Sequence, residues 1–142
     1  MRHSKAELYV HLVWATDGRE PYLNPEMERS VHHCLQQEAV RLRCTVLALN
    51  GMPDHVHILT RIPPTLNVSS LAKQLKGVSS RFVSEQVNSI DYFKWQDGYG
   101  AFSISRSHVK RVVLYIKNQK KHHAEGTIWP EWEEVNESLN SP

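Results

Sequence analysis

The run Asp54-His55-Val56-His57-Ile58-Leu59 constrains this chain more than any other stretch. β-branched and aliphatic residues fill it. Turn signals bracket it, with Gly51-Met52-Pro53-Asp54 before and Pro63-Pro64 after, so the pattern predicts a strand. Residues two apart on a strand share a face. His55 and His57 therefore project side by side, with Leu59 in line beyond them, while Val56 and Ile58 enter the opposite layer. Two imidazoles held this way are two ligands of a metal site. A lone His-x-His also occurs in many unrelated proteins, where one ring is a hydrogen-bonded core residue and the other is surface.

The flanking elements follow from periodicity and turn chemistry. In residues 7–15, Leu8, Val10, Leu12 and Trp14 alternate with Tyr9, His11 and Val13. Both sets are largely apolar, which predicts a first strand buried on both faces. Asp17-Gly18-Arg19-Glu20-Pro21 ends it. Asn24 and Pro25 then open a helix as N-cap and first helical residue, with Met27, Val31, Leu35, Ala39 and Leu42 as its apolar stripe. His32 and His33 are adjacent on that helix, cannot share a ligand, and are expected at the surface. Thr45–Leu49 is a second strand, joined through Asn50–Asp54 to the His strand as a hairpin. Asn67 caps a second long helix whose stripe is Val68, Leu71, Leu75, Val78 and Phe82. A polar loop over 88–98 carries Trp95, and Tyr99–Ile104 is a fourth strand.

The stretch Ser107–His123 is the last predicted helix, with Val109, Val112, Val113 and Ile116 at helical spacing and Ser105 or Ser107 as its N-cap. Tyr115 and Gln119 are one turn apart on it, on the border of the stripe, where a side chain can be half-buried and still reach a cleft. The order β-α-β-β-α-β-α predicts an α+β fold: an antiparallel sheet with helices packed on one face, ferredoxin-like. One domain is expected over 1–124, followed by an acidic C-terminal tail over 125–142.

The formal charge of +2 conceals an asymmetry. Residues 125–142 hold five glutamates and no Lys or Arg, a charge of −5. Residues 1–124 therefore hold all seventeen basic residues against ten acidic ones, a charge of +7. A basic body suits a polyanion such as nucleic acid. No apolar run reaches membrane length and no signal peptide is evident, so a cytoplasmic protein is expected. Cys34 and Cys44 fit neither a disulfide framework nor zinc spacing and are expected as reduced structural thiols.

Four stretches in order carry a family resemblance: Met52-Pro53-Asp54-His55-Val56-His57; Leu75-Lys76-Gly77-Val78-Ser79-Ser80-Arg81; Trp95-Gln96-Asp97-Gly98-Tyr99-Gly100-Ala101-Phe102-Ser103; and Tyr115-Ile116-Lys117-Asn118-Gln119. Together, over roughly residues 6–124, the chain resembles the single-tyrosine HUH transposases of simple bacterial insertion sequences, the TnpA type. The resemblance implies an enzyme that cleaves and rejoins single-stranded DNA through a covalent 5′-phosphotyrosine. Tyr115 would be the nucleophile, and His55, His57 and Gln119 the ligands of Mg²⁺ or Mn²⁺. Gln119 would contribute its amide oxygen. It also implies a homodimer with shared active sites, and DNA hairpins at element ends as partners. A Gln at 119, where two-tyrosine relatives carry a second Tyr, favours the single-tyrosine branch. Lys73, Lys76, Ser79, Ser80 and Arg81 then form a DNA-binding face on the second helix. His11 and His108 are expected to stand apart from the His55–His57 pair. Two other readings stay open from the residues alone: a metal-dependent phosphoesterase that activates water, and a non-catalytic single-stranded DNA-binding protein derived from a transposase.

Overall fold

Alternating strands and capped helices fold here into an antiparallel four-stranded sheet. The computed structural model describes residues 4–86 and 93–125. The strands are β1 (Leu8–Ala15), β2 (Thr45–Met52), β3 (His55–Ile62) and β4 (Gly100–Ile104), in the spatial order β2-β3-β1-β4. That interleaving is the split βαβ order of ferredoxin-like folds. The helices are α1 (Pro25–Arg41), α2 (Val68–Gln86), α3 (Val109–Lys117) and α4 (Gln119–Glu125). None of the described helices is long and apolar enough to cross a membrane. Of the acidic tail expected over 125–142, everything past Glu125 lies outside the described residues, as does part of the loop expected over 88–98.

The caps expected at Asn24 and Asn67 form, whereas the one expected at Ser105 or Ser107 does not: α3 follows His108, and Ser105 makes no capping hydrogen bond. Asn24 accepts a hydrogen bond from the Met27 amide at 2.8 Å, with Pro25 opening α1. Asn67 accepts one from the Ser70 amide at 2.7 Å at the start of α2. Each side chain satisfies an amide that the first helical turn leaves without a partner. Arg43, in the left-handed region at φ 66°, turns the chain from α1 into β2.

The hairpin is tighter than its sequence suggests. β2 continues through Asn50 and Gly51 to Met52, which pairs with His55, so only Pro53 and Asp54 form the loop. Gly51 makes this possible: a Cβ there would fall 2.2 Å from the His55 carbonyl oxygen. β4 begins at Gly100, one residue later than expected.

One face of the sheet carries the main core. Val10, Leu12 and Trp14 of β1 and Val56, Ile58 and Ile62 of β3 pack with Met27, Val31, Leu35 and Ala39 of α1 and Leu71 and Leu75 of α2. Trp95 closes this layer at one end. Its ring meets Trp14 edge-on at 5.8 Å, and its indole N–H donates to Ser79 Oγ at 2.9 Å. Cys34 and Cys44 are buried and unbridged. His33 is exposed as expected, while His32 is half-buried, and burial lowers its pKa.

The α+β class is as expected, with one correction: the helices do not all pack on one face. α1 and α2 share a face; α3 lies on the other, against Ala48 of β2 and Leu59 of β3 through Val112, Tyr115 and Ile116. The reason is in the strands. β1 is buried on both sides from Val10 to Ala15, and β3 carries Leu59 on the histidine side, so that side also needs an apolar cover. A second correction concerns continuity. The expected helix 107–123 divides into a 3-10 turn at Arg106–His108, then α3, then α4, with a break at Asn118 (φ −101°, ψ 23°). The Asn118 amide and side-chain Nδ2 both donate to the Leu114 carbonyl, at 3.1 and 2.9 Å. A short polar side chain competing for a nearby carbonyl is what ends helices at such residues.

Candidate active site

The antiparallel register assembles the site. Val13 of β1 stands opposite His57 and Ala15 opposite His55. Both histidines point away from the main core, as the alternation predicts. His55 Nδ1 lies 2.7 Å from Asp54 Oδ1, and its Nε2 lies 3.3 Å from Gln119 Oε1. His57 Nδ1 lies 2.9 Å from His11 Nε2. The His57 ring meets His55 edge-on at 5.1 Å and Tyr115 edge-on at 6.0 Å. The structure thus brings His55, His57, Tyr115 and Gln119 together within one chain.

Tyr115 and Gln119 are not half-buried on a stripe border, as the sequence suggested; they are 2% and 0% exposed. Val112, Tyr115 and Ile116 are the buried residues of α3, at the i, i+3, i+4 spacing of a single face. Tyr115 therefore belongs to the stripe itself. Asn50 and Lys120 fasten this cover. Asn50 Nδ2 donates to the Lys117 carbonyl at 3.0 Å. Lys120 Nζ reaches Glu28 Oε1 at 2.6 Å and the Gly51 carbonyl at 3.2 Å.

The donor set suits a divalent ion. The hydrogen bond from His55 holds the Asp54 carboxyl below the usual range against the opposing effect of burial, with the charge of Arg19 adding to the lowering. A carboxylate can only accept, so a neutral His55 gives Asp54 its Nδ1 proton and keeps a lone pair on Nε2. That lone pair and the Gln119 amide oxygen are then two electron-pair donors 3.3 Å apart. An octahedral ion with ligand arms of about 2.1 Å spaces neighbouring ligands about 3 Å apart. Carboxylate support behind a ligating imidazole is the usual outer shell of a metal site. Among the described residues no three His, Cys, Asp or Glu cluster to hold an ion, and the Gln119 amide oxygen is a further donor beside His55.

Two residues in this neighbourhood were missed by the sequence reading. His11, expected to stand apart, contacts His57 directly; only the pairing of β1 with β3 reveals it. His123 Nε2 lies 3.2 Å from Gln119 Oε1, and its ring is 5.0 Å from His55. Its i+4 spacing from Gln119 was a legible signal. His108 is indeed remote, hydrogen-bonded to Ser105 Oγ at 2.6 Å.

The residues expected on a DNA-binding face all lie on α2, as expected, and apart from this cluster. α2 packs on the sheet face opposite His55 and His57, so none of the five reaches them. Lys73 and Arg81 are exposed and Ser80 is half-buried. Lys76 donates to the carbonyls of Gln96 and Gly98 at 2.7 and 2.8 Å, and burial lowers its pKa. Ser79 is fully buried, donating to the Leu75 carbonyl at 2.7 Å and accepting from Trp95.

A ferredoxin-like sheet that turns a His-x-His strand toward a Tyr-bearing helix defines a class, and comparison with known proteins gives the family. Residues 4–119 match the family described as "Transposase IS200 like", and the chain belongs to it. It is 28% identical over 124 residues to the transposase for insertion sequence element IS200 of Salmonella typhimurium, covering 84% of this chain and 81% of that protein. It is 27% identical over 118 residues to the ISDra2 transposase TnpA of Deinococcus radiodurans, covering 80% and 84%. Among solved structures, a Deinococcus radiodurans protein assigned as a transposase superposes with a TM-score of 0.65 at 28% identity, over 84% of this chain and 95% of that one. A REP-associated tyrosine transposase bound to a REP hairpin shares the fold, with a TM-score of 0.64 at 15% identity, over 92% and 79%.

Proposed function

We propose that this transposase cleaves and rejoins single-stranded DNA with Tyr115 as nucleophile and with His55, His57 and Gln119 as ligands of Mg²⁺ or Mn²⁺. The observation that carries this reading is the convergence of His55 Nε2 and Gln119 Oε1 at 3.3 Å, with His57 beside them and Tyr115 edge-on to His57. When bound, the ion would draw charge from a phosphate oxygen and orient the phosphodiester for attack. Asp54 holds His55 in the ligating tautomer. The Tyr115 oxygen gives up its proton and attacks phosphorus, and the bond to the 3′ oxygen breaks. The products are a 5′-phosphotyrosine and a strand ending in a 3′-hydroxyl, which takes up a proton. The new ester keeps the bond energy, so attack by a 3′-hydroxyl reverses the step and joins strands. Phenol has a pKa of about 10, so the nucleophile needs activation at neutral pH.

Burial of Tyr115 has a consequence for this chemistry. α3 and α4 must lift from the sheet to admit DNA. Once re-seated, the same cover excludes water that would hydrolyse the phosphotyrosine. The basic body and the fold shared with a transposase solved on a hairpin support hairpin DNA as the partner. The proposal includes a homodimer in which α3 and α4 of one subunit make these contacts on the other's sheet.

The direct test uses labelled single-stranded DNA from the flanks of the reading frame, Mn²⁺ and a denaturing gel. Wild type should give a covalent protein–DNA adduct. Tyr115→Phe should bind the hairpin within severalfold of wild type and give none. Cleavage by wild type without any adduct would point instead to a hydrolase that activates water.

A further inference from the structure

The two ligating histidines are supported unequally. His55 leans on a carboxylate. His57 leans on a second imidazole, His11, through a 2.9 Å contact between His57 Nδ1 and His11 Nε2. His11 lies on the inner strand β1, fully buried, two residues before the Val13 that stands opposite His57. Such diagonal neighbours are within reach of a long or aromatic side chain. The His11 ring is held between the His57 ring at 5.1 Å and the Phe102 ring of β4 at 5.9 Å, so its position is set by packing.

One hydrogen bond between two neutral imidazoles holds one proton, which leaves two arrangements. If the proton sits on His57 Nδ1, His57 Nε2 carries a lone pair and can ligate. If it sits on His11 Nε2, His57 carries its proton on Nε2 and cannot. Asp54 permits a neutral His55 only the ligating tautomer, because a carboxylate has nothing to donate. An imidazole partner does not enforce this, so the choice at His57 belongs to His11. We propose that His11 is a positioning residue for His57: it accepts the Nδ1 proton of His57 and thereby presents Nε2 as a metal ligand. This inference rests on the metal reading above and extends it to β1.

The test measures Mn²⁺ binding to the full chain without DNA, by the electron paramagnetic resonance signal of unbound Mn²⁺. The set comprises wild type, His57→Ala, His11→Leu and His11→Gln. Gln keeps an acceptor oxygen, whereas Leu keeps bulk alone. Loss of an outer-shell partner costs about 10–100-fold in metal affinity, and His11→Leu should weaken Mn²⁺ by that factor. His11→Gln should recover most of it, which a packing role alone would not produce. Wild-type affinity in His11→Leu, with His57→Ala impaired, would overturn the role of His11 and leave the metal site standing. Wild-type affinity in His57→Ala would remove the metal reading itself, and this inference with it. Should the His11 variants fail to fold, imidazole nitrogen-15 shifts of metal-free wild type decide the matter. His57 protonated on Nδ1 supports the assignment, and His57 protonated on Nε2 overturns it.

Discussion

The two faces of this sheet are covered by different means. On one, α1 and α2 seal Val10, Leu12, Trp14, Val56 and Ile58 under long helices with formed caps. On the other, the nine-residue α3 and seven-residue α4 lie over Ala48, Leu59 and three histidines, His11, His55 and His57, and α4 adds the buried Gln119. Among the described residues, eighteen buried apolar side chains make up the first layer and five the second. Apolar burial is the main stabilising term in folding, so the first face determines whether the chain folds. The second face exchanges apolar contact for polar groups and holds its cover with a few bonds from Asn50 and Lys120. Elements that move for function come from the low-stability end of a structure, and this face has that character.

The largest effect should come from the polar face. His57→Ala should lose DNA cleavage at any practical Mg²⁺ concentration while its thermal melting stays close to wild type, and EDTA should do the same to wild type. Undiminished cleavage in EDTA would remove the metal from the comparison.

The next test asks whose cover is used. Mixing His57→Ala with Tyr115→Phe protein under subunit exchange should restore cleavage to at most about a quarter of wild type, because half the dimers are mixed and each has one intact site of two. No recovery, with exchange confirmed by differently tagged chains, would mean that each chain closes its own site.

A smaller effect separates the layers energetically. Ile58 and Ile116 are both fully buried, one under α1 and α2 and one under α3. Ile58→Ala should cost about 2–5 kcal/mol of global stability. Ile116→Ala should cost less in denaturant unfolding and should instead speed amide exchange across α3, because a cover that opens locally cannot withdraw more than its own docking energy. Equal losses in both variants would show that the two faces unfold as one unit.

The smallest effect is chemical. Burial raises the pKa of the Cys34 and Cys44 thiols, with the Glu38 charge adding to the effect at Cys34. At pH 8 less of each is thiolate than in an unfolded chain, so iodoacetamide should label them slowly. Labelling should climb with pH past the usual cysteine range. Fast labelling at pH 8 would mean that the α1 layer also opens.

Much of this was legible in the residues because local rules and tertiary needs agree. Asn24-Pro25 and Asn67 mark helix starts by hydrogen bonds they make within three residues. The alternation at His55-Val56-His57-Ile58 separates the two histidines from the main core without knowledge of any neighbour. What was not legible depends on pairing. His11 reads as one more residue of a buried strand until β1 is laid against β3. The side taken by α3 is likewise invisible locally, since an amphipathic stripe names a face to bury and not the sheet surface that buries it. Ser79 and Lys76 looked like a polar helix edge, and only the return of Trp95 and Gln96 to α2 shows their hydroxyl and ammonium engaged within the fold.

The link from β4 to α3 is short, Ser105 and the turn Arg106–His108. It places Tyr115 after the whole sheet in the order of synthesis. A ribosome adds about 5–20 residues per second, so there is an interval in which β1 to β4 can pair while Tyr115 is still inside the exit tunnel. During that interval Leu59, Ala48 and the two histidines form an uncovered trough on a nascent chain. On a crowded messenger RNA, the first helix to reach that trough need not belong to the same polypeptide. Whether a site is closed by its own tyrosine or a neighbour's would then be settled by the spacing of ribosomes as much as by the energy of the contact.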